Sequence, residues 1–157
     1  TPGAGGVWAP MNVSRSRKSG WDGSVSVRAG AWRAALRGSH TAAVDISDSP
    51  ETNETYGMQL RLTPKNMASG EILYGAELWG ARAERRWVGS SFTRADSKGE
   101  LDAYGVLDLS AWRQIRVGGM EYEARVDVSN VLDRAYLIIP GYPMPGRSVI
   151  LTLAASL

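Results

Sequence analysis

The chain has 157 residues, with 18 Lys and Arg against 16 Asp and Glu, a formal net charge of +2, one histidine and no cysteine. That length suits one domain, and the missing thiols exclude a disulfide framework and any thiolate metal site. The arginines are scattered and interleaved with acids, which excludes the one-sided basic patch of a nucleic-acid binder.

No run reaches the roughly 18 apolar residues of a transmembrane helix, but a membrane barrel needs none, because its strands alternate. Six Trp and six Tyr stand against a single Phe, a bias that suits rings held half in an apolar medium and half in water. Thr1 to Gly6 has neither the basic nor the apolar region of a secretory leader, so the expectation is a cleaved leader or a start inside a longer protein.

In chain order, residues 1–10 are rich in Gly and Pro and read as loop. Trp21, Val25, Val27 and Ala29 then share one face and Ser24, Ser26 and Arg28 the other, a period of two that predicts a strand. Gly30 predicts a tight turn. A second strand places Trp32, Ala34, Leu36 and Gly38 opposite Arg33, Arg37, Ser39 and Thr41. Asp45 to Thr55 is an acidic, exposed loop. Residues 56–63 alternate Tyr56, Met58, Leu60 and Leu62 with polar neighbours and are expected to be extended, as an outer continuation of the strand that follows. That strand, Ala68 to Glu77, carries Ile72, Tyr74 and Ala76 on one face, and Trp79-Gly80 is expected to form the next tight turn.

Ala81 to Val88 is less regular: Ala81, Ala83 and Trp87 share a face with Arg85, which is expected near the outer rim with its charge reaching outward. Ser90 to Glu100 is a second polar loop. Leu101 to Gln114 predicts a strand with Ala103, Gly105, Leu107, Leu109 and Ala111 on the apolar face, and residues 117–119 turn the chain into Met120. From there Met120, Tyr122, Ala124, Val126 and Val128 alternate without a break with Glu121, Glu123, Arg125, Asp127 and Ser129. After a loop over 131–146, the final strand aligns Val149, Leu151, Leu153, Ala155 and Leu157.

The connections alternate between short and long, which is the pattern of an antiparallel transmembrane barrel with short turns at one rim and long loops at the other. Treating 56–63 as an extension leaves about seven spanning strands, and about eight if it crosses. An odd number does not close a bacterial single-chain barrel, so the strands are expected to belong to a larger one.

Six stretches resemble TonB-dependent outer-membrane receptors. Asn130-Val-Leu-Asp133-Arg-Ala-Tyr136 followed by Pro145-Gly146-Arg147 is similar to the family's Asn-Leu-Phe-Asp-x-x-Tyr segment and its Pro-Gly-Arg opening of the last strand. Val131 and Leu132 replace Leu and Phe, and Leu157 replaces the terminal aromatic residue. Asn12 to Asp22, Leu62-Thr-Pro-Lys65, Trp87-Val-Gly89 and Tyr104-Gly-Val-Leu-Asp108-Leu resemble further landmarks, with Asp22 where Glu is usual. The resemblance implies the C-terminal portion of an all-β barrel of about 22 strands, with residues 1–157 as a single region and the plug domain absent. It also implies residence in the bacterial outer membrane, contact with its lipid, a small nutrient ligand such as vitamin B12 or an iron-siderophore, and energy from the TonB complex, whose contact segment is not in this chain.

No enzyme chemistry is expected. His40 is the only histidine, so a catalytic triad or multi-histidine site would hang on it alone, and a surface role is favoured. The Gly-rich pieces lack the spacing of a phosphate-binding loop, and no cofactor is implied. Asn130, Asp133, Tyr136, Tyr142, Gly146 and Arg147 define the loop before the last strand; a structural role is favoured, with Tyr136, Tyr142 and Arg147 open to contact with ligand or plug. Val149, Leu151, Leu153 and Leu157 form the terminal assembly strand. Two rivals stand beside this reading: a small self-contained barrel acting as anchor or adhesin, marked by an eighth strand and first-to-last pairing, and a soluble ligand-binding barrel with its apolar stripes turned inward.

Overall fold

The computed structural model describes residues 15–48 and 50–156, so Asn12 and Leu157 lie outside the described residues. The described residues form strands, turns and loops, with no helix among them. In chain order the strands are β1 (Ser16–Ala29), β2 (Trp32–Asp45), β3 (Asn66–Gly75), β4 (Trp79–Val88), β5 (Ser91–Phe92), β6 (Glu100–Leu101), β7 (Tyr104–Val117), β8 (Met120–Ser129), β9 (Leu137–Ile139), β10 (Tyr142–Pro143) and β11 (Ser148–Ser156). Seven of them make one antiparallel sheet in the order β1-β2-β3-β4-β7-β8-β11, while β5 with β6 and β9 with β10 are small hairpins inside the long loops. The shortest of the seven, β11, has 9 residues, within the roughly 9–11 that a tilted span requires.

Period-two patterning fixes the register. One row crosses the whole sheet through Val27, Ala34, Ile72, Ala83, Leu109, Val128 and Val149. The next row towards the short turns runs Ala29, Trp32, Tyr74, Ala81, Ala111, Val126 and Leu151. A slip of one residue turns a strand over, and in β1, β2, β4 and β8 it would put a charged side chain into these rows. Yet the rows are not buried: Leu151 is 74% and Leu153 84% exposed, and Ile72 and Val27 are also open. An apolar surface this continuous on an isolated chain is a face built for a non-aqueous neighbour.

The opposite face is polar and internally paired. Arg82 reaches Glu71 at 2.7 Å and Glu84 at 2.6 Å, Arg86 reaches Asp108 at 2.6 Å, and Arg125 reaches Asp127 at 2.8 Å. Ser110 donates to Asp127 at 2.6 Å, and the Arg125 guanidinium lies 5.7 Å from the centre of the Trp112 ring. Polar residues half-covered and apolar residues exposed is the reverse of a soluble barrel, and this overturns the inward-facing alternative.

The short connections are Gly30-Ala31, residues 76–78 and Gly118-Gly119. The last is a two-residue hairpin with both φ positive, at 61° and 84°, which glycine adopts without strain. Trp79-Gly80 is not the turn expected from sequence. The chain reverses earlier, with Ala76 N–H donating to Trp79 O at 2.8 Å, and Gly80 already pairs with Trp112 inside the sheet. A Cβ at Gly80 would collide with the Trp112 ring, so that glycine makes room for an indole rather than for a reversal. Trp32, Tyr74 and Trp79 meet here, with ring centres 4.8 and 4.6 Å apart.

Three further boundaries differ. β1 starts at Ser16, ahead of Trp21, because β2 continues to Asp45 and pairs with it throughout. Residues 56–63 are broken by turns rather than extended throughout: Gly57 and Leu62 have positive φ, and the stretch meets the end of β2 through one bridge, Val44 to Gln59, and the hydrogen bonds around it, without forming a strand. β7 opens at Tyr104 rather than Leu101, which belongs to the small β5–β6 hairpin. The count of spanning strands is therefore seven. β1 and β11 stand at opposite ends of the sheet, so neither the eighth strand nor first-to-last pairing occurs among the described residues.

Candidate functional site at the long-loop rim

Three long connections emerge at the rim opposite the short turns, and two of them are held by buried polar hubs. The first hub closes the loop between β8 and β11. β8 ends at Ser129, and Asn130 takes φ 49°, a left-handed conformation that asparagine tolerates better than most residues. The residue is only 4% exposed. Its Oδ1 accepts the Arg134 amide at 3.0 Å, while Nδ2 donates to Arg134 O at 2.9 Å and Pro145 O at 3.3 Å. Its own amide donates to Asp108 Oδ1 at 2.8 Å, tying the loop to β7. Asp133, at φ 50°, receives the Arg147 amide on Oδ1 at 2.8 Å. Gly146 lies so close that a Cβ there would sit 2.6 Å from that oxygen.

Asn130 and Asp133 thus pin the start of the loop to its end, and Gly146 is required by proximity. Tyr136 stacks on Tyr104 with ring centres 4.4 Å apart. Tyr142, on the β9–β10 hairpin, projects away and is 70% exposed, and Arg147 is also exposed. The structure therefore brings Asn130, Asp133, Gly146 and the Arg147 backbone together, places Tyr136 beside β7, and leaves the Tyr142 ring apart from them. A cavity of about 250 Å³ lies against the hub, lined by Arg86, Asp108, Asn130, Tyr136 and Pro145 among others. Val149, Leu151 and Leu153 stand on the open apolar face of β11.

The second hub was not singled out from the sequence. Asp45, at the outer end of β2 and 8% exposed, accepts the Ser47 amide at 2.8 Å, the Thr55 hydroxyl at 2.7 Å and Asn53 Nδ2 at 3.1 Å. Burial pushes its carboxyl up, but the hydrogen bonds from Ser47, Thr55 and Asn53 outweigh it and hold the group far below the usual carboxylate range. Ser47 exchanges hydrogen bonds with the backbone of Arg15, and Gln59 accepts the Ala43 amide at 3.1 Å while donating to Thr63 O at 3.2 Å. The usable signal in the sequence was the Asp45-x-Ser47 spacing, which suits a side chain folding back on the amide two residues on.

The third loop carries the β5–β6 hairpin. Leu62 N–H donates to Phe92 O at 2.7 Å, joining it to the preceding loop. Asp96 accepts the Lys98 amide and pairs with Arg94, and these contacts, the amide first, hold its carboxyl low. His40 Nδ1 lies 2.7 Å from Asn66 Oδ1, a contact between β2 and β3 at the same rim. Among the described residues Glu71, Glu84, Asp108 and Asp127 of the polar face are engaged by arginines, and no group of three or more His, Asp or Glu converges as a metal site. The rim can hold loops in place and present aromatic and basic side chains.

Comparison with known proteins agrees with this geometry. The family model described as TonB dependent receptor-like, beta-barrel, matches residues 1–131. The vitamin B12 transporter BtuB of Photobacterium profundum is 26% identical over 147 residues, covering 94% of this chain and 22% of that protein. Among solved structures, the siderophore receptor PiuA from Acinetobacter baumannii superposes with a TM-score of 0.72 at 14% identity, over 88% of this chain and 21% of its own. The ferric yersiniabactin uptake receptor FyuA from Yersinia pestis gives 0.65 at 22% identity, over 88% of this chain and 22% of its own. The chain spans about a fifth of the length of these relatives.

Proposed function

Since the chain belongs to the TonB-dependent receptor β-barrel family, we propose that it supplies the C-terminal wall strands and outer loops of a receptor that takes up a scarce nutrient across the bacterial outer membrane. Members of this family are outer-membrane proteins, and the relatives it matches are transporters and receptors rather than enzymes. The observation that carries the reading is the orientation of the sheet: an apolar band, interrupted by Arg85 alone among the described residues, on the exposed face and an ion-paired face behind it, with long loops gathered at one rim.

The nutrient is of the vitamin B12 or iron-siderophore class, and uptake draws on TonB. Asn130, Asp133 and Gly146 act as loop anchors, while Tyr142, Arg147 and the Tyr104–Tyr136 stack present the surface that ligand or plug meets. The reading is tested by placing the complete parent receptor in an outer-membrane-receptor-null strain, with and without TonB, and following uptake of labelled cyanocobalamin and a panel of ferric siderophores. Uptake of at least one of them that disappears without TonB is expected. Uptake indifferent to TonB, or none across the panel with the receptor present in the outer membrane, contradicts it.

A further inference from the structure

Between the row of Trp87 and the row of Tyr74, a single charged side chain stands on the apolar face among the described residues: Arg85. It pairs across β3 with Gly70 and across β7 with Leu107, while Glu71, Glu84 and Asp108 belong to the opposite face and have arginine partners of their own. No carboxylate lies within ion-pair distance of Arg85 among the described residues. One of its terminal nitrogens lies 3.6 Å from where a Cβ on Gly105 would be, so the side chain runs from its own row towards the Trp87–Gly105 row, the direction of the long-loop rim.

The space beside it is a groove of about 630 Å³ on the same face, floored by Gly23, Gly38 and Gly70 and bordered by Trp21, Leu36 and Trp87. In the hydrocarbon an unpaired arginine is most costly at the bilayer midplane and much less so near the interface. Reaching the rim lowers that cost, and an anion on the guanidinium fork lowers it further. Only a molecule carrying both an anion and an apolar tail matches a cation beside an apolar groove.

Resting on the membrane reading above, we infer that this groove binds one phosphate-bearing lipid of the surrounding membrane, its phosphate on Arg85 and an acyl chain along the glycine floor between Trp21 and Trp87. The complete receptor, wild type, Arg85→Gln, Arg85→Lys and Arg113→Gln, is reconstituted in phosphatidylcholine nanodiscs containing phosphatidylglycerol, extracted into detergent, and the retained lipids are measured by native mass spectrometry. Arg113 is the outward-facing control beyond this band, paired with Trp79. Arg85→Gln should lower the ratio of phosphatidylglycerol to phosphatidylcholine retained by about ten-fold, the loss of one charge-assisted contact. Arg85→Lys should fall between, and Arg113→Gln should match wild type.

Equal retention by wild type and Arg85→Gln overturns the inference, as does an equal fall in Arg113→Gln. Displacement of the lipid by inorganic phosphate alone also overturns it, because the acyl chain then contributes nothing. Failure of the wild-type receptor to insert into the bilayer overturns the membrane reading and this inference with it, whereas insertion with equal retention overturns only the inference.

Discussion

The two polar hubs at the rim solve one problem by different chemistry. Each holds a long loop to a strand end, and together they contain the buried polar side chains of the described chain, Asp45, Ser47, Gln59 and Asn130. The hub before β11 uses a neutral amide that both donates and accepts, so one residue satisfies an amide and two carbonyls. The hub after β2 uses an anion that only accepts, so Ser47, Asn53 and Thr55 must converge on it as donors. The Asn130 amide itself has no proton to gain and depends on backbone geometry, with the Asp108 and Asp133 carboxylates accepting beside it; the Asp45 hub rests on one charge and on several donors.

The sharpest way to break the comparison is at Asn130. Asn130→Ala leaves the Arg134 amide and the Arg134 and Pro145 carbonyls without that partner and should cost about 3 kcal/mol. Hydrogen exchange of the parent receptor should speed up over 131–147 and stay unchanged over 46–59. Asp45→Ala should do the converse, costing about 2 kcal/mol, because two of its three donors, Asn53 and Thr55, are side chains that can turn to water. Gly146→Ala comes next: the added methyl displaces the Asp133 carboxylate and releases the Arg147 amide, for about 1 kcal/mol, read as a lower melting temperature with the 46–59 exchange untouched.

Acidification separates the hubs most gently. Asp45 has its carboxyl held below the ordinary value, so the opened loop takes up a proton before the closed one does. Its stabilisation is complete above the unfolded value of about 3.9 and fades as pH falls through the lower folded value. Exchange over 46–59 should therefore accelerate below about pH 4, ahead of any change at the Asn130 side chain, which has no proton to gain. Simultaneous loosening of both loops would show that they are one unit.

The sheet itself was legible because period-two alternation is a property of neighbouring residues. Met120 to Ser129 declares its faces without reference to anything distant, and the strand bounds there match to the residue. Gly80 was misread because its reason for being glycine is Trp112, a ring 32 positions further along the chain that only the β4–β7 pairing brings near. Residues 56–63 alternate like a strand and hydrogen-bond to the end of β2, yet turns at Gly57 and Leu62 keep that pairing from extending into a ladder, so geometry and not pattern decides whether alternation becomes sheet. At the rim, the Asn130 to Arg147 set was visible through family resemblance, whereas Asp45 looked like one more acid in an acidic loop. What distinguishes it is convergence of Ser47, Asn53 and Thr55, which no local pattern encodes.

The central claim is that one face of this sheet meets lipid and the other does not, and adjacent residues at the middle of β7 test it most directly. Leu109 lies in the outward row with Ala83 and Val128, and Ser110 lies behind it, donating to Asp127. The complete receptor carrying Leu109→Arg or Ser110→Arg is expressed, and its assembly is followed by heat-modifiable migration of outer-membrane fractions. Leu109→Arg should lose about 2–4 kcal/mol and assemble poorly, while Ser110→Arg, close to the Asp127 carboxylate, should assemble as wild type. Equal assembly of the two, or the reverse order, would contradict the account.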